Sequence, residues 1–196
     1  MTLPRVSLLT CALLAAVALP LLGDDLPKKG QKKVDLKELP PAKTDNGNAL
    51  IKKYRDKLEL SASSTYPGWP TSHALDGNVQ TSWFSASNDS AAKRTTPWFQ
   101  VTFPEDVTVK RVTILGNRDP AWLNGYTILA GALELLDAKG KRIHYEDNEG
   151  VGNFRDFEFK PEKPVAKVRA VKFISLGDQG DQNPYGDIAI AEVLIE

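Results

Sequence analysis

From residue 58 onward, apolar side chains come in short runs that alternate with polar ones, and Gly, Pro, Asp and Asn divide the runs at short intervals. That period of two is the mark of half-buried strands. Residues 98–103 and 107–115 are rich in β-branched and aromatic side chains, and both are expected as strands. Residues 126–136 and 141–145 flank Asp137-Ala138-Lys139-Gly140, a hairpin-like turn. Phe154, Phe157 and Phe159 fall in another strand, with Phe157 and Phe159 on one face. Over 165–176, Val168, Ala170, Lys172 and Ile174 share one face, and Val171 and Phe173 share the other. Residues 188–195 form the last strand. No helix-length periodic segment separates these runs, which disfavours a parallel α/β sheet and predicts an all-β sandwich or barrel.

The chain before residue 58 has a different character. Residues 1–23 read as a secretory signal peptide, with a basic start at Arg5, an almost wholly apolar stretch over 8–22, and Gly23 ahead of Asp24 and Asp25. Cleavage is expected after Gly23, with Ala18 as second choice, leaving a secreted, periplasmic or cell-envelope protein. An uncleaved anchor is the alternative, although the apolar stretch is shorter than the ~20 residues a spanning helix needs and Pro20 interrupts it. Residues 24–57, rich in Lys and containing Pro27, Pro40 and Pro41, read as a charged tether. Leu50, Tyr54 and Leu58 would share one helical face, so 49–58 is either a short helix or a solvated extended segment.

Charge and cysteine content narrow the function. The 25 basic and 25 acidic side chains cancel, which argues against nucleic-acid binding and against strong adsorption to anionic membranes. Cys11, the one cysteine, lies inside the apolar stretch rather than after it, where a lipid-attachment cysteine would stand. The exported chain would have no disulfide and would rely on its core or on a bound metal.

The informative residues are Ser61-Ala62-Ser63-Ser64-Thr65-Tyr66, Ala74-Leu75-Asp76-Gly77-Asn78, Thr81-Ser82-Trp83, Pro97-Trp98-Phe99-Gln100-Val101 and Ile190-Ala191-Glu192-Val193. In this order and spacing they resemble the discoidin, or coagulation factor 5/8 type C, family, over residues 58–196. The same galactose-binding-like fold includes the family 32 carbohydrate-binding modules. The resemblance implies a jelly-roll β-sandwich of two antiparallel sheets, about eight strands, with loops gathered at the two ends. It also implies a structural Ca2+, with carboxylates from Asp76 and Glu192, the hydroxyl and carbonyl of Thr81, and main-chain carbonyls of His73, Asn78 and Ala191. Such an all-oxygen set suits a hard cation, and the lack of a Cys or His cluster disfavours zinc. Without a metal, Asp76 and Asn78 would only stabilise a turn and Glu192 would lie on a solvated strand face. Trp83 and Trp98 hold family positions in or near the core.

Ligand residues are expected in the loops. A sugar needs an aromatic face for its C–H side and a few hydrogen-bonding groups for its hydroxyls. Trp69 stands between Pro67-Gly68 and Pro70, and the stretch 116–125 carries Asn117, Arg118, Trp122 and Asn124. The loop 177–187 adds Tyr185, and its Asp178, Asp181 and Asp187 read as a solvated acidic loop. Galactose binders of the family use a His, an Arg and an Asn; these loops offer Arg118 and Asn117 but no His, which counts against galactose. No nucleophile elbow, zinc-protease helix motif or phosphate-cradling loop is present, and His144, between Ile143 and Tyr145, reads as a half-exposed strand residue. The expectation is a non-catalytic module for carbohydrate or glycoconjugate, with a protein-interaction or envelope-associated structural domain as the alternative.

Overall fold

In a computed structural model, the structure describes residues 48–179 and 185–196. The expected signal peptide, the tether up to residue 47 and the middle of the third loop lie outside these residues. Strands β1 (Glu59–Ala62), β2 (Trp83–Phe84), β3 (Trp98–Val109), β4 (Val112–Gly116), β5 (Ile128–Leu136), β6 (Arg142–Glu149), β7 (Phe157–Phe159), β8 (Val165–Asp178) and β9 (Ala189–Ile195) follow one another along the chain. They assemble into a five-stranded sheet, β1-β3-β8-β5-β6, and a four-stranded sheet, β2-β9-β4-β7, paired antiparallel throughout. The expected all-β sandwich of two antiparallel sheets is therefore the fold.

Alternation explains why the sheets close on each other. In β3, Phe99, Val101 and Phe103 point inward and are buried, while Trp98, Gln100 and Thr102 point outward. Phe157 and Phe159 of β7 stack 6.1 Å apart, as their spacing predicts, and Phe157 meets Phe173 of the opposite sheet at 5.1 Å. Trp83, fully buried, packs 5.2 Å from Phe99. Trp98 departs from its expected place: it lies half-buried on the outer face, with the Lys172 ammonium 4.7 Å from its ring.

Three further departures come from irregularities that a strict period of two cannot anticipate. The division expected between 103 and 107 is a register shift inside the single strand β3, and the chain reverses instead at Lys110-Arg111, whose N–H groups both donate to the Glu196 carbonyl. A register shift facing Val168 turns it into the core with Val171 and Phe173, not onto the face of Ala170 and Lys172. Residues 48–57 are not tether. Helix α1 (Ala49–Tyr54) and a 3-10 turn (Arg55–Lys57) bury Ile51 and Tyr54 in the core, Tyr54 against Phe103 at 5.8 Å. The folded unit thus starts by Asn48, and of the two readings for 49–58 the helix holds.

Candidate functional site

Two clusters stand out, and β9 carries parts of both, Glu192 in the first and Ala189 in the second. The first forms where the segment after a 3-10 turn (Thr71–Leu75) meets β9. Asp76 ends that turn, and Gly77, at φ +84°, takes a left-handed conformation that a side chain would strain. The Asn78 N–H donates to Asp76 Oδ1 at 2.7 Å, and the Thr81 hydroxyl lies 2.7 Å from Asp76 Oδ2 and 2.8 Å from the Asn78 carbonyl. Glu192, 0% exposed, reaches in from β9 and accepts the Gly77 N–H on Oε1 at 2.6 Å. Residues separated by 115 positions are thereby joined.

Glu192 Oε2 is buried with no donor in hydrogen-bonding geometry. Burial is the main cause that pushes the Glu192 carboxyl up to about 8, with the Asp76 carboxyl adding to it and the Gly77 N–H opposing it. A buried carboxylate with an orphan oxygen beside a second carboxylate is a place where a proton or a cation is strongly favoured. Among the described residues no group of three or more His, Cys, Asp or Glu side chains converges, so a cation here would need main-chain oxygens as well. Those are at hand. The Asn78 carbonyl faces Thr81, and the register shift between Leu115 and Gly116 leaves Ala191 unpaired with β4, as happens at a bulge. His73 lies in the same 3-10 turn, its ring nitrogen Nδ1 3.2 Å from the Ser82 carbonyl. With both carboxylates ionised, the donor set would be hard, oxygen-only and doubly negative, which suits Ca2+.

The second cluster gathers loop aromatics. Trp69 meets Tyr66 and Phe84 at 5.6 Å each and Trp122 at 6.1 Å; Phe84 meets Tyr126 at 5.0 Å, all edge to face. Phe84, Tyr126 and Ala189 form its buried floor, and Tyr66, Trp69, Trp122 and Tyr185 are its partly exposed rim. Burial holds the Tyr126 phenol protonated well above its ordinary range. Three expected ligand residues from three separate loops, Trp69, Trp122 and Tyr185, are brought together here. Asn124 is exposed two residues beyond Trp122, with the following Gly125 N–H anchored on Gln179 Oε1 at 3.0 Å.

Asn117 and Arg118, expected as ligand residues, turn inward instead. Asn117 Oδ1 accepts from the Ser82 hydroxyl at 2.9 Å and the Asp119 N–H at 3.1 Å, and its amide donates to the Trp122 carbonyl. Arg118 is 3% exposed; it pairs with Asp156 at 2.6 Å, donates to the Gly116 carbonyl at 2.7 Å and lies 4.6 Å over the Phe154 ring. Gly116 permits this approach, since a Cβ there would sit 1.7 Å from the Phe154 carbonyl oxygen. Both side chains hold the loop that presents Trp122. A polar residue followed by a buried one is not distinguishable in sequence from an exposed pair, because the partners, Ser82 and Asp156, are remote in the chain. Asp119, a polar residue of the 116–125 loop that is not among the expected ligand residues, has its Oδ2 3.4 Å from Trp69 Nε1 and links two of the loops.

The chain is thus a small antiparallel sandwich whose loop aromatics converge at one end and whose 76–81 turn is tied by Glu192 to its last strand. The sequence model of the F5/8 type C domain matches residues 59–192, and the chain belongs to that family. Among solved structures, the family 32 carbohydrate-binding module of Clostridium perfringens NanJ, solved with galactose, is similar at TM-score 0.60 and 20% identity, covering 72% of this chain and 95% of that one. A second family 32 module from Clostridium perfringens, solved with GalNAc-β-1,3-galactose, aligns at TM-score 0.56 and 14% identity over 72% and 96% of the two chains. The lectin domain of lectinolysin, solved with Lewis b antigen, aligns at TM-score 0.55 and 18% identity over 71% and 92%. At these identities the likeness establishes the shared fold. A search of the curated proteins found no match.

Proposed function

We propose that this chain is an exported, non-catalytic module that binds carbohydrate on the aromatic rim of Trp69, Trp122 and Tyr185. The observation that carries this reading is the meeting of those three side chains, contributed by three loops, over a buried aromatic floor. Their half-exposed rings offer apolar area for the C–H side of a sugar ring. Exposed Asn124 supplies a planar amide for hydroxyl groups beside Trp122. Solved relatives of the fold are described with galactose, Lewis b and GalNAc-β-1,3-galactose, which supports the ligand class without choosing the sugar.

In this reading a Ca2+ is held by the carboxylates of Asp76 and Glu192, the hydroxyl and carbonyl of Thr81, and the carbonyls of His73, Asn78 and Ala191. Its contribution is structural: it neutralises the buried Glu192 and fastens the 76–81 turn to β9, as a disulfide would elsewhere. The apolar segment over 8–22 supports export. Among the described residues, no helix is long and apolar enough to cross a membrane.

A glycan array probed with the purified protein tests the function directly. Binding to at least one glycan class, lost in Trp122→Ala with the fold intact, is the expected result. A folded protein that binds no glycan, yet retains a protein partner in the presence of added sugars, would replace this reading with a protein-interaction domain.

A further inference from the structure

Along the 73–84 segment, Ser82 and Trp83 separate Thr81 of the carboxylate cluster from Phe84 of the aromatic floor. Thr81 contacts Asp76 and the Asn78 carbonyl; Ser82, next in the chain, is fully buried and donates to Asn117 Oδ1 at 2.9 Å. Asn117 in turn binds the Asp119 N–H and the Trp122 carbonyl, the two residues that set the rim loop and its contact with Trp69. A second route runs through the sheet, where Glu192 pairs with Leu115 two residues before Asn117.

We propose that the Ser82–Asn117 hydrogen bond makes the two clusters one unit, so that closing the carboxylate cluster around a cation sets the position of Trp122 and thereby the ligand affinity of the rim. Ser82 and Asn117 act as positioning residues, since neither faces a ligand. The physical basis is that a buried side-chain pair with all its geometry specified transmits a small shift instead of absorbing it. A cation held between Thr81, Asp76 and Glu192 would fix the turn against β9, and with it the position of Ser82, next after Thr81, relative to Asn117. The proposal rests on the functional reading above for its effect on affinity, but the coupling itself is measurable without any glycan.

The test is a titration of the 15N-labelled protein with calcium chloride, following the indole N–H of each of the four tryptophans, assigned by single Trp→Phe substitutions, together with the melting temperature. In the unmodified protein the Trp122 indole signal is expected to move with the same calcium midpoint as the rise in melting temperature. In Ser82→Ala the melting temperature still rises with calcium, whereas the Trp122 signal no longer responds. Calcium should also tighten binding of an array-identified glycan by roughly fivefold, about what one buried neutral hydrogen bond supplies, and Ser82→Ala should lose that gain. A Trp122 signal that stays still while calcium raises the melting temperature overturns the proposal. So does an equal response in Ser82→Ala, or the absence of any calcium effect. Should Ser82→Ala fail to fold, the titration of the unmodified protein decides by itself. Absence of every glycan ligand, with the Trp122 response intact, would refute the carbohydrate reading and leave the coupling standing.

Discussion

Raising the pH from 5 to 8 in the presence of a strong chelator should destabilise this protein, and Glu192 is the reason. Its carboxyl is fully buried, and its pKa stands at about 8 in the folded state against an ordinary 4.5. Below pH 4.5 both folded and unfolded chains hold the proton, and the group has no net effect on the slope. Between these two values the unfolded chain has lost the proton and the folded one still holds it, so stability falls as the pH rises. At ~1.4 kcal/mol per pH unit, the interval from 4.5 to about 8 corresponds to about 5 kcal/mol if no cation relieves the charge. For a domain of this length that is a fall of roughly ten degrees or more in melting temperature. Glu192→Gln keeps an oxygen for the Gly77 N–H and removes the titration, so its melting temperature in chelator should be much flatter over the same range. Calcium should reverse the order: it raises the melting temperature of the unmodified protein most near pH 8 and leaves Glu192→Gln nearly unaffected. Melts followed by circular dichroism at half-unit pH intervals, with and without chelator, measure all of this. A flat melting temperature from pH 5 to 8 in chelator, indistinguishable from Glu192→Gln, would refute the reasoning.

Ion pairs of unequal burial should differ sharply. Asp156→Ala strands the buried Arg118 and should cost about 3 kcal/mol by urea unfolding, while Arg142→Ala, which removes an exposed partner of Glu134, should cost under ~1 kcal/mol. Phe173→Ala opens a cavity between the sheets, beside Leu133 and facing Phe157, and should cost about 3–5 kcal/mol in the same assay. Trp98→Ala should leave glycan affinity unchanged, because its ring lies on the outer face under Lys172, whereas Trp122→Ala should weaken binding at least about tenfold by calorimetry; equal losses would place the ligand elsewhere.

Much of the architecture is legible in the sequence, because a strand pattern is a local property. Phe157 and Phe159 on one face, Phe99, Val101 and Phe103 on another, and the turn at Asp137, whose Oδ1 takes the N–H groups of Lys139 and Lys141, all follow from neighbours within a few residues. The resemblance to a known family joins Asp76 to Glu192 across the chain, and in the structure Glu192 accepts the N–H of Gly77, the residue after Asp76. Where a bulge slips the register, the same local logic fails, and Val168 faces the core with Val171 and Phe173 instead of sharing the face of Ala170 and Lys172.

The order of residues alone thus dictates which side chains can share a face, where the chain must turn, and that a carboxylate-bearing turn precedes the first long strand. It does not dictate whether a polar loop side chain looks out or in. Arg118 and Asn117 are held inside by Asp156 and Ser82, partners 38 and 35 positions away, and Trp69 and Trp122 became one surface only when separate loops met. Those outcomes depend on which groups can satisfy a buried charge or amide in three dimensions, and that is settled by packing between the two sheets and their loops.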